Sequence, residues 1–230
     1  MGRTIGLCLP MGDTCDSEFA HDLMLATAYH AATSDDAINV HMRQGTILAE
    51  QRNELCKMAI ENDATHIVFL DADQRFPKDV FERLIAHDVP VVAANIAKRR
   101  RPISPTARRE RPDNPDQLEG VWPNKEVRGL ERVAVVGTGV ICIKTEALLQ
   151  VPFPWFAQPW LEEQQRFVGE DLYLMGQFRR AGVPVYIDHD LSWEVGHLGK
   201  YEYKMDDCIA ERALADAGHW DHARPDMQVA

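Results

Sequence analysis

His66-Ile67-Val68-Phe69-Leu70-Asp71-Ala72-Asp73 decides how this chain of 230 residues is read. Its first five residues form a near-continuous apolar run of the kind that lies buried on both faces of a parallel sheet. Two carboxylates emerge, two residues apart, where that run stops. Ligands of open α/β sheets bind beyond the carboxyl ends of strands. Alternate positions of an extended segment point the same way, so Asp71 and Asp73 can share one oxygen-rich site. Mg²⁺ and Mn²⁺ favour such a donor set. Taken alone, the pair reads more readily as helix-capping or surface aspartates ahead of Pro77, and the surrounding pattern has to separate the two.

Towards the N-terminus, strand and helix alternate. The spacing predicts a strand over Thr4–Leu9, a helix from Ser17 to about Thr33, a strand over Ala37–His41 and a helix from Thr46 to about Asn62. A helix from Lys78 to about His87 and a strand over Val89–Ala94 follow the quoted stretch. Repeated β-α units of this length imply right-handed crossovers and a mostly parallel sheet flanked by helices. Periodicity lapses from Lys98 to Leu130, where seven Pro or Gly residues fall, and this stretch reads as a functional loop or as disorder. Beyond it come two strands around Gly137-Thr138-Gly139, a helix over Glu170–Ala181, strands near Val183–Ile187 and Ser192–Val195, and a C-terminal helix from about Lys204 to Ala217. No repeat or linker divides the chain, so one α/β domain is expected over 1–230.

Composition narrows the class. Hydrophobic residues make up 45% of the chain, and 36 acids against 25 bases give a net charge of −11. A single core of this size buries roughly 70% of the surface the unfolded chain exposes. The five cysteines are scattered and contain no C-x-x-C pair, which argues against a disulfide framework and a cysteine zinc site. No signal-peptide centre and no apolar run near the ~20 residues of a membrane span is present. Charge is uneven: Lys98 to Arg111 hold seven bases and one acid, while the other 216 residues hold 18 bases and 35 acids. That island reads either as a solvated loop or as a surface for phosphates or nucleic acid.

Downstream, Gly169-Glu170-Asp171 opens a helix, whose N-terminus favours carboxylates, and Val195-Gly196-His197 follows the next strand. With Ala49-Glu50-Gln51-Arg52-Asn53, Asp71-Ala72-Asp73, Val136-Gly137-Thr138-Gly139-Val140 and Pro154-Trp155-Phe156, these pieces make an ordered set from Thr4 to about Tyr201. In that order the chain resembles nucleotide-sugar glycosyltransferases of the GT-A fold, in particular their broad second family and a compact glycosyltransferase-like group of phage and bacterial genomes.

The resemblance implies a single GT-A-like domain with a nucleotide-sugar half over about 1–95, a basic loop over 98–130, an acceptor and catalytic half over about 131–203 and a C-terminal helix over 204–217. It implies Asp73 as direct metal ligand, Asp71 on the ribose or the metal shell, and His197 as third ligand, holding Mn²⁺ or Mg²⁺. Asp171 matches the general base of inverting members, with Glu170 beside it, while Pro10 and Arg52 match contacts to the base or diphosphate. The donor expected first is a UDP-sugar. No clear acid stands at the end of the second strand, in Asn39-Val40-His41-Met42, which leaves the nucleobase open.

The acceptor side is expected to draw on Gly137, Thr138, Gly139 and Trp155, with Phe156 and Trp160 as further stacking residues, and on Arg99, Arg100 and Arg101 if the acceptor is DNA with hydroxymethylated bases; a saccharide is the other candidate. Chemistry agrees with these roles, since an acceptor hydroxyl must lose a proton as it attacks C1 while charge builds on the leaving diphosphate. Inversion is favoured over retention. A cytoplasmic location follows, the host's if the chain is phage-encoded. A metal-dependent nucleotidyltransferase and a non-catalytic nucleic-acid-binding module stand as alternatives. A haloacid-dehalogenase-type phosphatase is disfavoured, because Arg75 stands where such sites need Thr or Val.

Overall fold

The computed structural model describes residues 2–199 and 201–217. The N-terminal half runs β1 (Thr4–Met11), α1 (Ser17–Thr33), β2 (Ala37–Gln44), α2 (Leu48–Glu61), β3 (His66–Leu70), β4 (Gln74–Arg75), α3 (Val80–Ala86) and β5 (Val91–Ala93). Then follow β6 (Arg108–Arg111), β7 (Asn114–Gly120), β8 (Leu130–Val133), β9 (Val140–Lys144), α4 (Thr145–Leu148), β10 (Trp160–Leu161) and β11 (Arg166–Phe167). The chain closes with α5 (Glu170–Ala181), β12 (Val185–Asp188), α6 (His189–Ser192), β13 (Gly196–His197) and α7 (Met205–Asp216).

Seven strands form the central sheet in the order β2-β1-β3-β9-β5-β12-β8. β1 is parallel to both β2 and β3, and β12 is parallel to β5, while β9 and β8 run against their neighbours. This is the mostly parallel, helix-flanked α/β class expected. Side chains of β3 alternate between the two faces. Ile67 and Phe69 join Leu55, Cys56 and Ala59 of α2 and Leu174 and Phe178 of α5. Val68 and Leu70 join Phe19 and Ala26 of α1 and Phe81 and Leu84 of α3. With both faces covered, every residue of β3 is buried, and its carboxyl end leads directly into Asp71 to Asp73.

Two expectations are corrected. The stretch 98–130 is not structureless: β6 and β7 pair antiparallel, with a register shift between Glu110 and Arg111, and Arg108 bridges to Val135 beyond β8. Its strand character is carried by charge rather than by apolar alternation, as in the cross-strand pair Arg109 to Glu119 at 2.8 Å. The strand expected over Ser192–Val195 is replaced by α6 and a turn. Asp188 caps that short helix, accepting a hydrogen bond from the Leu191 amide at 2.9 Å, and the Ser192 hydroxyl donates to the Asp188 carbonyl. Strand pairing resumes one turn later, where Gly196–His197 lies antiparallel to Gln74–Arg75.

Among the described residues no helix is long and apolar enough to cross a membrane. All five cysteines are free, four of them buried and Cys15 exposed.

Candidate active site

Leaving β3, the chain turns at once: the Asp71 amide donates to the Gly139 carbonyl (2.9 Å) and the Gln74 amide to the Asp71 carbonyl (3.0 Å). Asp71 to Asp73 form a turn rather than the extended segment of the sequence reading. Beside them opens a cleft of about 340 Å³ lined by Pro10, Thr14, Cys15, Asp16, Leu48 and Asp71 to Asp73.

Arg52 stands behind Asp71. Its guanidinium is 1% exposed and donates from Nη2 to both Asp71 oxygens at 2.9 Å, while Nε lies 3.7 Å from Glu170 Oε1. Phe69 and Phe156 rings flank it at 5.1 and 5.7 Å. The expected contact of Arg52 with base or diphosphate is therefore corrected: the side chain is sealed in the core and ties the β3 turn to the start of α5. Burial raises the Asp71 pKa; Arg52 works against that rise, and the nearby Asp73 and Glu170 charges add to it. Next to Arg52, Asn53 accepts from the Trp155 and Phe156 amides and donates to the Phe156 carbonyl. The Arg52-Asn53 pair thus holds three segments of the site together from beneath.

Pairing of β13 with β4 brings His197 beside Asp73, and the Leu198 amide donates to the Asp73 carbonyl at 2.7 Å. His197 Nδ1 lies 2.9 Å from the Ala97 carbonyl, which can only accept, so Nδ1 carries the proton. Nε2 then faces Asp73 Oδ2 at 3.3 Å. A neutral ring presents a lone pair to that carboxylate, and the contact requires a second ring proton or a cation. Burial pushes the Asp73 pKa up, but the His197 hydrogen bond and charge, with Arg99 and Gln74, outweigh it and hold the carboxyl below its ordinary value. Burial likewise opposes a charged His197, and the bonds to Asp73 and Ala97 outweigh it, so its pKa is raised.

A histidine whose Nδ1–H is held by a backbone carbonyl and whose Nε2 meets a carboxylate has the arrangement of a metal ligand. Asp73 and His197 therefore fit a divalent ion. Asp71 does not join them: among the described residues no three His, Cys, Asp or Glu side chains converge as a ligand group. The expected trio of ligands is not assembled: Arg52 holds the Asp71 carboxylate, and Arg99 stands 2.9 Å from Asp73 Oδ2 beside His197. Asp188 and His189, which also follow a strand, are bound to His87 and Glu131 at 2.9 and 2.8 Å and do not compete with His197.

α5 begins at Glu170. Its Oε2 accepts from Gln158 Nε2 at 3.4 Å, and Asp171 Oδ1 accepts from the Leu172 amide at 2.7 Å. Burial, with the Glu170 charge beside it, pushes Asp171 up to about 6, against the pull of the Leu172 amide, Arg52 and Lys98. A carboxylate with that value is ionised at neutral pH yet a stronger base than a solvated one.

The other expected residues divide. Pro10 lines the cleft. Gly139 supports the Asp71 turn, Thr138 is buried with its carbonyl 3.5 Å from Arg52 Nη1, and Gly137 packs on Thr106; none of the three offers an acceptor surface. Trp155 is 7% exposed and Phe156 buried, so neither is a stacking platform, whereas Trp160 is 45% exposed and meets Phe167 edge-on at 5.0 Å. In the basic island, Arg99 reaches Asp73 (2.9 Å), Arg101 Glu211 (3.5 Å), Arg109 Glu119 and Glu131, and Arg111 Asp113, while Arg100 is exposed. Sequence reasoning did not single out Thr14, Cys15, Asp16 or Leu48. The signal was positional: the first three follow the carboxyl end of β1, where ligands of such sheets bind.

A family model matches the chain over residues 26–112, that of Anp1, a glycosyltransferase-family domain. The matched part is less than half of the chain and includes Arg52, Asp71 and Asp73 but not Asp171 or His197. No curated protein matches the sequence. In three dimensions the chain is similar to A197 from STIV, with a TM-score of 0.56, 21% identity and 86% of each chain covered. It also aligns with the catalytic domain of Drosophila beta1,4galactosyltransferase 7, solved in complex with xylobiose, at a TM-score of 0.48 and 11% identity over 93% of this chain and 79% of that one. At the first of these levels what is shared is the fold.

Proposed function

We propose that the chain is a sugar transferase that moves a glycosyl group from a nucleoside diphosphate sugar to an acceptor hydroxyl with a divalent ion, Mn²⁺ or Mg²⁺, at Asp73 and His197. One observation carries the reading: Asp71 and Asp73 line a cleft at the carboxyl end of the sheet, with His197 against Asp73 and the acidic start of α5 linked to Asp71 through Arg52. A match to a glycosyltransferase-family domain over the nucleotide half supports it.

The steps follow from the residues. The cleft between Pro10, the 14–16 loop and Leu48 takes the nucleoside, with a uridine nucleotide the first candidate. Asp73 and His197 hold the ion, which when bound neutralises charge on the leaving diphosphate. Arg52 fixes Asp71 so that the turn keeps its shape as charge moves. Asp171, ionised above pH 6, accepts the proton of the attacking hydroxyl, and direct displacement inverts the anomeric carbon. Of the two acceptors considered, a saccharide is favoured over DNA, because four arginines of the basic island already pair with acids of the same chain and their charge is less available to a phosphate backbone.

Turnover tests it. With Mn²⁺, the purified protein should release nucleoside diphosphate slowly from one of a panel of nucleotide sugars, and Asp73→Ala should abolish the release. Equal release by the variant, or none by wild type with any of the panel, would contradict the proposal.

A further inference from the structure

We infer that Arg99 is the donor's diphosphate clamp, a cation supplied by the chain on the donor side of the site; this rests on the nucleotide-sugar reading above. The cleft is short of positive charge. Among the described residues its lining includes Asp16, Asp71 and Asp73 and no Lys, Arg or His, and a diphosphate adds further negative charge. Arg52 cannot compensate from the core, since it is buried behind Asp71.

Arg99 stands against one residue of that lining, Asp73. Its Nη1 donates to Asp73 Oδ2 and to the Leu198 carbonyl, each at 2.9 Å. Its stem crosses Gly199, where a Cβ would fall 2.7 Å from Arg99 Cδ, so the glycine after Leu198 makes room for this arginine. The side chain is 46% exposed, so an incoming anion can reach it. A planar guanidinium binds phosphate through two parallel N–H bonds. An arginine anchored on a carboxylate and a carbonyl is oriented for that contact before the donor arrives, which lowers the ordering cost of binding. Lys98, next in the chain, acts electrostatically on Asp171. Arg99 is thereby placed on the donor side, whereas the sequence reading placed it on the acceptor side.

Calorimetric titration of the full chain with UDP, GDP, CDP, ADP and TDP, each in saturating Mn²⁺, tests this with Arg99→Gln and, as a control for the loss of one charge, Arg111→Gln. The expected result is binding of at least one nucleotide by wild type, weakened about 10-fold or more in R99Q, in the range of a lost charge-assisted bond, and unchanged in R111Q. Equal affinity in R99Q and wild type, or an equal loss in R111Q, overturns the clamp and leaves the donor reading standing. Binding of none of the five by folded wild type overturns the donor reading and the clamp with it. If R99Q does not fold, Arg99→Lys, which keeps charge and stem but loses the fork, replaces it, and an affinity equal to wild type then counts against the clamp.

Discussion

Arg52 and Asp171 show how single residues set this site. A buried guanidinium shared between Asp71 and Glu170 leaves both carboxylates uncompensated when it is removed. Arg52→Leu should cost roughly 3 kcal/mol in urea denaturation at pH 7, the low end for a broken buried pair because the Asp71 side chain is 24% exposed; a change within error would mean the pair contributes nothing. Asp171→Asn, by contrast, should spare donor binding and lower turnover by ~10² or more. The acid limb of the wild-type pH–rate profile should lie at about 6, the value burial and Glu170 give this group, and should vanish from the residual activity of the variant. A limb that persists unchanged would assign the base elsewhere.

Among the elements, β3 and α5 keep the boundaries expected of them, for physical reasons visible in their residues. His66–Leu70 is bounded by the Asp71 turn, and α5 is closed by Gly182, whose φ of 71° is the left-handed cap that glycine favours. The β6–β7 hairpin escaped notice because its strands are held by cross-strand ion pairs and carry no apolar alternation. The site was legible in part. Asp73 and His197 come together as their motifs imply, yet the burial of Arg52 was hidden, since an arginine beside an apolar helix face reads as solvated, whereas the packing of Trp155 onto the core is the commoner fate of an aromatic residue among prolines. Packing between β1 and α2 carries its own prediction. A Cβ on Gly6 would lie 2.6 Å from the Ala59 Cβ and 3.0 Å from that of Ala64, so Gly6→Ala should force the helix off the sheet and cost about 1–3 kcal/mol, read as a lower urea midpoint. An unchanged midpoint would show that α2 shifts freely.

At the scale of the whole molecule, two carboxylates of the site set opposite pH trends. Asp171 has a folded pKa near 6 against an ordinary value of 3.8, so the folded state binds its proton more tightly than the unfolded chain does. Its ionisation is a penalty at neutral pH that is relieved as pH falls from about 7 through 6 towards 4. Asp73, held below its ordinary value, contributes stability above pH 4 that is lost only at lower pH. Asp171→Asn should therefore melt several degrees higher than wild type at pH 7 and equally at pH 4, and no difference at pH 7 would remove the case for a strained carboxylate.

The claim that all of this serves is that the cleft at the carboxyl end of β3 binds a nucleotide sugar with a divalent ion. Thermal melting of wild type and Asp73→Ala against nucleoside diphosphates and their sugars, each with and without Mn²⁺, tests it most directly. A ligand at ~100 times its dissociation constant adds about 2.7 kcal/mol, a rise of roughly 5–10 °C for a chain of this size. The account predicts that rise for wild type with one nucleotide, only when Mn²⁺ is present, and none for the variant; no rise with any of them, or the same rise in Asp73→Ala, would contradict it.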